Sequence, residues 1–334
     1  MRISLKPRYP LHLFSLICGS CFAIGCERPE ALTDIAIEEP FIATQSYEIV
    51  VVDRLNRKVC LAGLPKRIIS LAPATTELMF AIGAGDLLVG ATDHCNYPPA
   101  ASQIARIGGG TMQGISHEII LSLKPDLILS KWDTHQPLIE SLDRIRVPML
   151  AIGPDSLVQL YEDAKTLGQA TGHETEADDL IESMQRRVGA LTSWVESLPK
   201  EQRRRVFYEV WDQPLMTVGP KSFIGELLEL GGMDNVFSDA TVAYPRISDE
   251  VVLDRNPDVV LAPTTHQTRV SLDILSKRQG WDRLSAVKNS QVFLIDGDKV
   301  SRCGPRMLDA LEEMIRHVYP GMLPANQTDK VIVH

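Results

Sequence analysis

Short apolar runs alternate along the chain with stretches of helical period. RKVCLAGLPKRIISLA gives a strand, a turn and a buried strand ending at Ala72. In PATTELMFAIGAG, Leu78, Met79 and Ile82 form an apolar helix face, Thr75 or Thr76 can cap it, and Gly83 and Gly85 stop it. DLLVGATD follows as a strand, NYPPAA as a turn, GISHEIILSLK as a helix stopped at Pro125, and DLILS as a strand. THQPLIESLDRIR then predicts a helix and VPMLAIG a strand. From Ser156 to about Leu198 the period is helical almost throughout, and ETEADDLIESMQRRVGALTSWVESL has no break except Gly189. The alternation then restarts with RRVFYEVW (strand), PKSFIGELLELGG (helix), ISDEVVLDRN (helix), DVVLA (strand), a helix within HQTRVSLDILSKRQGWDRL, QVFLID (strand) and the closing helix PRMLDALEEMIRHVYP. Alternation of this kind predicts α/β architecture with parallel sheets.

One sentence of this pattern is written twice. GISHEIILSLKPDLILS (114–130) and RISDEVVLDRNPDVVLA (246–262) share Ile, Ser, Glu, Leu, Pro, Asp and a second Leu in the same order and spacing. The expected organisation is therefore two related α/β lobes, Rossmann-like with parallel central sheets, joined by one long helix and with a ligand cleft between them. Residues 47–155 form the first lobe, 156–200 the interlobe helical segment, 201–320 the second lobe and 321–334 a tail. In both copies Ser stands at a helix N-cap and Glu follows two residues later, Glu118 and Glu250. A carboxylate in a first helical turn is favoured by about 0.3–1 kcal/mol, which alone would explain both. Two equivalent carboxylates on two related lobes would also suit a two-fold symmetric partner.

Composition narrows the classes. The chain has 334 residues and a net charge of -9, which argues against nucleic acid as a partner. Arg2, Lys6 and Arg8 precede the apolar run LHLFSLICGSCFAIG, which is short for a membrane span and ends at Cys26. Residues 1–25 are expected to be a signal peptide and 26–46 an acidic tether. Of six cysteines, Cys60, Cys95 and Cys303 remain in the body of the chain, too few for a disulfide framework. No G-x-S-x-G, H-E-x-x-H, P-loop or dinucleotide fingerprint is present, although a secreted α/β hydrolase built from distant residues would leave no such motif.

AIGC at 23–26 resembles a bacterial lipobox, which would make Cys26 the lipidated residue. RIISLAPATTELMFAIGAGDLLVGATDHCNYPP, LKPDLIL, RVFYEV, GELLELGGMDNVF, YPRIS and RCGPRML, in this order, resemble the substrate-binding proteins of ABC importers. The similarity is to the class with a rigid interlobe helix, which serves cobalamin, siderophores and haem, and within it to the cobalamin-binding branch. It implies a monomeric, non-enzymatic protein of the periplasm or other extracytoplasmic space, lipid-anchored and partnered by a permease dimer in the inner membrane. It carries no cofactor of its own; the ligand is a small molecule, a metal chelate such as cobalamin, with an iron-siderophore or haem as the alternative.

In that family a surface glutamate on each lobe meets permease arginines, and those positions fall on Glu118 and Glu250. The resemblance gives Tyr244 to an aromatic wall of the cleft and Asp298 to hydrogen bonding with the ligand rim. His94, Met112 and Met216 stand where members of the branch carry aromatics; Trp132 and Trp211 lie close to cleft positions. Arg246, Arg302 and Arg306 could bind ligand carboxylates, and a salt bridge at a helix start is the other reading of Arg306. His94 is open to two readings, an axial ligand to a corrin or haem metal and a hydrogen-bonding loop residue.

Overall fold

The computed structural model describes residues 48–109, 114–131, 146–264 and 270–323. Cys26, Met112, Trp132 and all but the last residue of the helix predicted across 134–146 lie outside these. Residues Gln45 to His334 cluster as one compact unit. An antiparallel hairpin of β1 (Ile49–Val52) and β2 (Lys58–Leu61) precedes two five-stranded sheets. The first sheet contains β3 (Ile68–Ser70), β4 (Leu88–Ala91), β5 (Ala105–Arg106), β6 (Leu127–Lys131) and β7 (Met149–Ile152). Its order is β5-β4-β3-β6-β7 and every neighbouring pair is parallel. The second contains β8 (Arg205–Asp212), β9 (Leu215–Thr217), β10 (Asp234–Asn235), β11 (Val259–Thr264) and β12 (Val292–Asp296). Its order is β10-β8-β11-β12, parallel, with β9 antiparallel on β8.

The helices are α1 (Pro73–Ala81), α2 (His117–Ser122), α3 (Leu157–Thr171), α4 (Glu174–Ser197) and α5 (Phe223–Leu230). They continue with α6 (Asp249–Arg255), α7 (Leu272–Ser276), α8 (Ser285–Lys288), α9 (Gly297–Val300) and α10 (Met307–Val318). Both sheets are covered on both faces, as parallel sheets must be. Successive strand residues go to opposite sides. Ile68, Leu127 and Leu129 enter the large core shared with Leu167, Met184 and Leu311, whereas Ile69 and Ile128 pack with Ile120 of α2. In the second sheet Val206, Val259 and Leu261 join the same large core, and Phe207 and Val260 pack with Val252 of α6 and Trp281.

The doubled motif folds the same way twice. Asp126 accepts hydrogen bonds from the Lys66 and Arg67 backbone N–H groups at 2.8 and 2.9 Å, which pins β6 beside the start of β3. Asp258 accepts from the Arg205 N–H at 3.0 Å, which does the same for β11 and β8. The Arg67 and Arg205 guanidinium groups donate to the carbonyls that end α2 and α6, those of Leu123 and of Arg255 and Asn256. The repeated Pro-Asp is thus the joint between a helix end and two parallel strands.

Three local expectations change. The cap of α1 is Ala72, with Pro73 as the first helical residue; Thr75 and Thr76 are buried inside the helix, and Thr76 donates to Ser70 Oγ at 2.9 Å. The helical stretch from Ser156 is two helices. Gly172, at φ 74°, closes α3 with a left-handed residue before α4 begins. The strand expected at RRVFYEVW gains a hairpin partner, because Gln213-Pro214 is the turn from β8 into β9.

The long helix is α4, 24 residues and about 36 Å at 1.5 Å per residue. At its start the His173 and Glu176 side chains lie against Gly83, next to α1. At its end Val195 packs on Gly232, and Trp194 meets Tyr319 edge-on at 5.6 Å. Midway, the buried Arg187 holds Asp309 and Glu312 of α10 at 2.7 and 2.8 Å. The helix thus runs from the first sheet's territory into the second's.

Candidate ligand cleft

The carboxyl ends of the two sheets meet. From the first sheet come α1 and the loop after β4, whose carbonyls at Thr92 and Cys95 are held by Arg106 Nη1 at 3.0 and 2.9 Å. From the second come α9 and the turn into α10. Asp296 Oδ1 accepts from the Asp298 N–H at 3.0 Å at the start of that turn. Between them lies a dense set of charges. Glu77 of α1 is 1% exposed. Its carboxylate accepts from Arg306 Nε and Nη2 at 2.9 and 2.7 Å and from Arg302 Nη1 at 2.8 Å. Arg302 also donates to Asn96 Oδ1 at 2.8 Å and to the His94 carbonyl at 3.2 Å, and it pairs with Asp298 at 2.9 Å. Asn96 Nδ2 donates to Asp298 Oδ2 at 2.8 Å, and the Arg306 guanidinium lies 3.8 Å above the Tyr97 ring.

A second, less polar group stands beside it on the C-terminal sheet. Trp211 of β8 and Met216 of β9 are partners in the hairpin. The segment 243–247 then lines up along β9. Thr217 N–H donates to the Pro245 carbonyl at 3.1 Å, Ile247 N–H to the Leu215 carbonyl at 3.0 Å, and Met216 bridges to Arg246. Tyr244 rides on this segment, 40% exposed. Burial pushes its phenol up to about 12, with a further push from the Asp155 carboxylate beyond β7 of the other sheet. Tyr208 beneath is fully buried, and burial raises its phenol too. Its hydroxyl has no hydrogen-bond partner among the described residues. The Cys303 thiol, raised by burial first and by Glu226 second, donates to the Ser156 carbonyl at 3.7 Å.

Residues 68–299 match the profile of the periplasmic binding protein family. The chain belongs to that family. As a periplasmic binding protein of the ABC-importer type it binds a small-molecule substrate and works with a permease; it is not an enzyme. It is 29% identical over 311 residues to the uncharacterized ABC transporter substrate-binding lipoprotein YvrC of Bacillus subtilis, covering 92% of this chain and 96% of that one. It is 31% identical to the vitamin B12-binding protein of Yersinia pestis, over 76% of this chain and 86% of that one. The crystal structure of the periplasmic vitamin B12-binding protein BtuF of Vibrio cholerae superposes with a TM-score of 0.63 at 28% identity, over 76% of this chain and 96% of that one.

In this periplasmic binding protein the predicted site residues fall into groups. Trp211, Met216, Tyr244 and Arg246 come together on the hairpin and its flanking segment. Asp298 and Arg302 meet the His94 loop from the opposite lobe, with the His94 side chain exposed. Glu118 and Glu250 are both exposed, in the first turns of α2 and α6. The two caps differ. Ser116 Oγ accepts from the Ile119 N–H at 3.2 Å, whereas Ser248 Oγ makes no capping bond. Ser248 instead donates to Glu250 and, with Glu250's own backbone N–H, holds that carboxyl below the usual range. Among the described residues no cluster of three or more His, Cys, Asp or Glu side chains could hold a metal, and Cys60, Cys95 and Cys303 are free thiols. No helix of the described residues is long and apolar enough to cross a membrane.

Glu77, Asn96 and Tyr97 were not singled out by the sequence. A signal existed for the first. Glu77 is the lone charge in PATTELMFA, a segment apolar on nearly all sides, and a carboxylate forced into such a place demands a cation. Arg302 and Arg306, one helical turn apart in spacing, supply two.

Proposed function

We propose that this chain is the lipid-anchored, extracytoplasmic binding protein of an ABC importer that captures cobalamin or a related corrinoid and delivers it to a permease dimer. One observation carries the reading of the cargo: the shelf made by Trp211, Met216 and Tyr244, backed by a hairpin and a flanking segment that hold all three in register. A flat, partly exposed apolar surface suits the face of a large planar macrocycle, and the methionine adapts to its irregular outline. Arg246, Asp298 and Asn96 line the rim with donors and acceptors of the kind that corrin side-chain amides satisfy. The kinship with vitamin B12-binding proteins of about 30% identity supports the same choice. Exposed Glu118 and Glu250, one on each half of the internal repeat, are the anionic knobs offered to the two permease subunits, and Cys26 carries the lipid.

Calorimetric titration of the purified protein with cyanocobalamin, with haem in parallel, tests the cargo. Tight one-to-one cobalamin binding is expected. Tyr244→Ala should weaken it about tenfold, the ~1.4 kcal/mol that one lost aromatic contact with its buried area is worth. No heat with cobalamin would overturn the corrinoid reading. Binding of haem alone would transfer attention to His94.

A further inference from the structure

We propose that Glu77 is a positioning residue: by gripping Arg302 and Arg306 across the junction it fixes the separation of the two lobes and hence the width of the ligand cleft. Glu77 stands on α1, directly after the first strand of the first sheet. Both arginines stand after the last strand of the second. Among the described residues six charge-assisted or amide hydrogen bonds cross at this cluster, from Arg306 and Arg302 to Glu77, from Arg302 to Asn96 and to the His94 carbonyl, and between Asn96 and Asp298. The Arg306–Glu77 pair is bidentate, which fixes direction as well as distance. Its core is dry, because the side chains of Glu77, Arg306 and Arg302 are 1, 9 and 12% exposed, so water cannot substitute for either partner at low cost.

The position of the grip matters more than its strength. The lobes are already joined by α4, bolted to α10 through Arg187. A rod alone would leave the lobes free to rock about it, and the apolar core that both sheets share is non-directional. Arg306 immediately precedes α10, so a second bond is made to the same helix at the cleft. Two attachments at separate points remove the rocking that one permits. Asp298, its side chain 49% exposed, is the wet edge of the cluster, where a ligand in the cleft would first feel it. This reading holds whichever ligand the cleft takes.

Unnatural amino-acid spin labels at Lys124 and Asp254, exposed residues of the two lobes, report the interlobe distance by pulsed dipolar spectroscopy on the full chain in detergent. The unmodified sequence should give one narrow distribution without ligand. Glu77→Gln should broaden it, and cobalamin dissociation should accelerate about tenfold while association stays within about twofold. Arg306→Lys keeps the charge but loses the fork and should fall between the two. It also decides the matter if Glu77→Gln does not fold. A distribution unchanged in the folded variants, with only a lowered melting temperature, would overturn the proposal and leave Glu77 as a stabilising residue. Failure of the unmodified protein to bind cobalamin would remove the corrinoid reading and leave the distance measurement to decide this one.

Discussion

Arg187→Met tests how the interlobe helix is held. In the structure Arg187 Nη2 reaches Asp309 at 2.7 Å and Glu312 at 2.8 Å, and Nε reaches Glu312 at 3.3 Å. Arg187 is 3% exposed at its side chain and Glu312 is 9%. The substitution keeps the stem but strands the Glu312 carboxylate in a dry place. An uncompensated buried charge costs about 3–5 kcal/mol. Asp309, at 27%, regains water and adds little. With roughly 2–4 °C per kcal/mol for domains of some 150–250 residues, the melting temperature should fall by about 6–20 °C. The pair itself is another matter. Arg187 Nη1 is buried without a hydrogen-bond partner among the described residues, so the ionic arrangement carries a standing desolvation cost. Arg187→Met with Glu312→Leu should therefore recover to within about 1 kcal/mol of the parent, or exceed it. Urea unfolding followed by the fluorescence of Trp194, which sits on α4 itself, measures both variants. A loss under about 1 kcal/mol for the single change, or a double variant as unstable as the single, would refute the account of a charge trapped by its partner's removal.

Other consequences follow from the same geometry. Glu118→Ala and Glu250→Ala should reduce uptake in cells and leave ligand affinity unchanged in calorimetry; loss of affinity would place these residues in the cleft or the fold instead. Ser116→Ala removes a capping bond and should cost about 1 kcal/mol in thermal or urea unfolding, whereas Ser248→Ala, which removes none, should cost clearly less. Ser248→Ala should instead let the Glu250 carboxyl rise toward its ordinary value, visible in an NMR titration. The sign follows from linkage: a carboxyl depressed in the folded state adds stability above its unfolded pKa that is lost as pH falls, and the variant should show less of that acid-side loss.

Much of the architecture was legible because it is written in periods. Strand residues such as Ile68 and Ile69 serve opposite faces of a sheet covered on both, so they read as continuous apolar runs, and their alternation with helices announces parallel pairing. The doubled Ser-x-Glu with Pro-Asp exposed the two halves because its Asp performs the same hydrogen bonding in each. What escaped was either disguised or distant. The hairpin that builds the apolar shelf has a second arm, Leu215–Thr217, too short at three residues to show a strand period. Gly172 broke a helical period that otherwise ran on unchanged. The lobe junction depends on partners 225 and 229 positions apart, and no local pattern ties Glu77 to Arg302 or Arg306. Placement of Trp211 and Met216 followed from the hairpin, not from their neighbours in sequence.

Each sheet is assembled from one unbroken stretch of chain. All strands of the first lie before residue 153, and all strands of the second lie after residue 204. Among the described residues no strand crosses over, and α4 is laid down between the two sheets. A polypeptide threaded through a membrane from its amino terminus would therefore present the first five-stranded sheet whole before the second had begun to emerge. Maturation can proceed in the order of translocation, with the long helix as the last piece of one lobe and the first of the next. The junction at Glu77 is the step that waits, because its arginines arrive near the end.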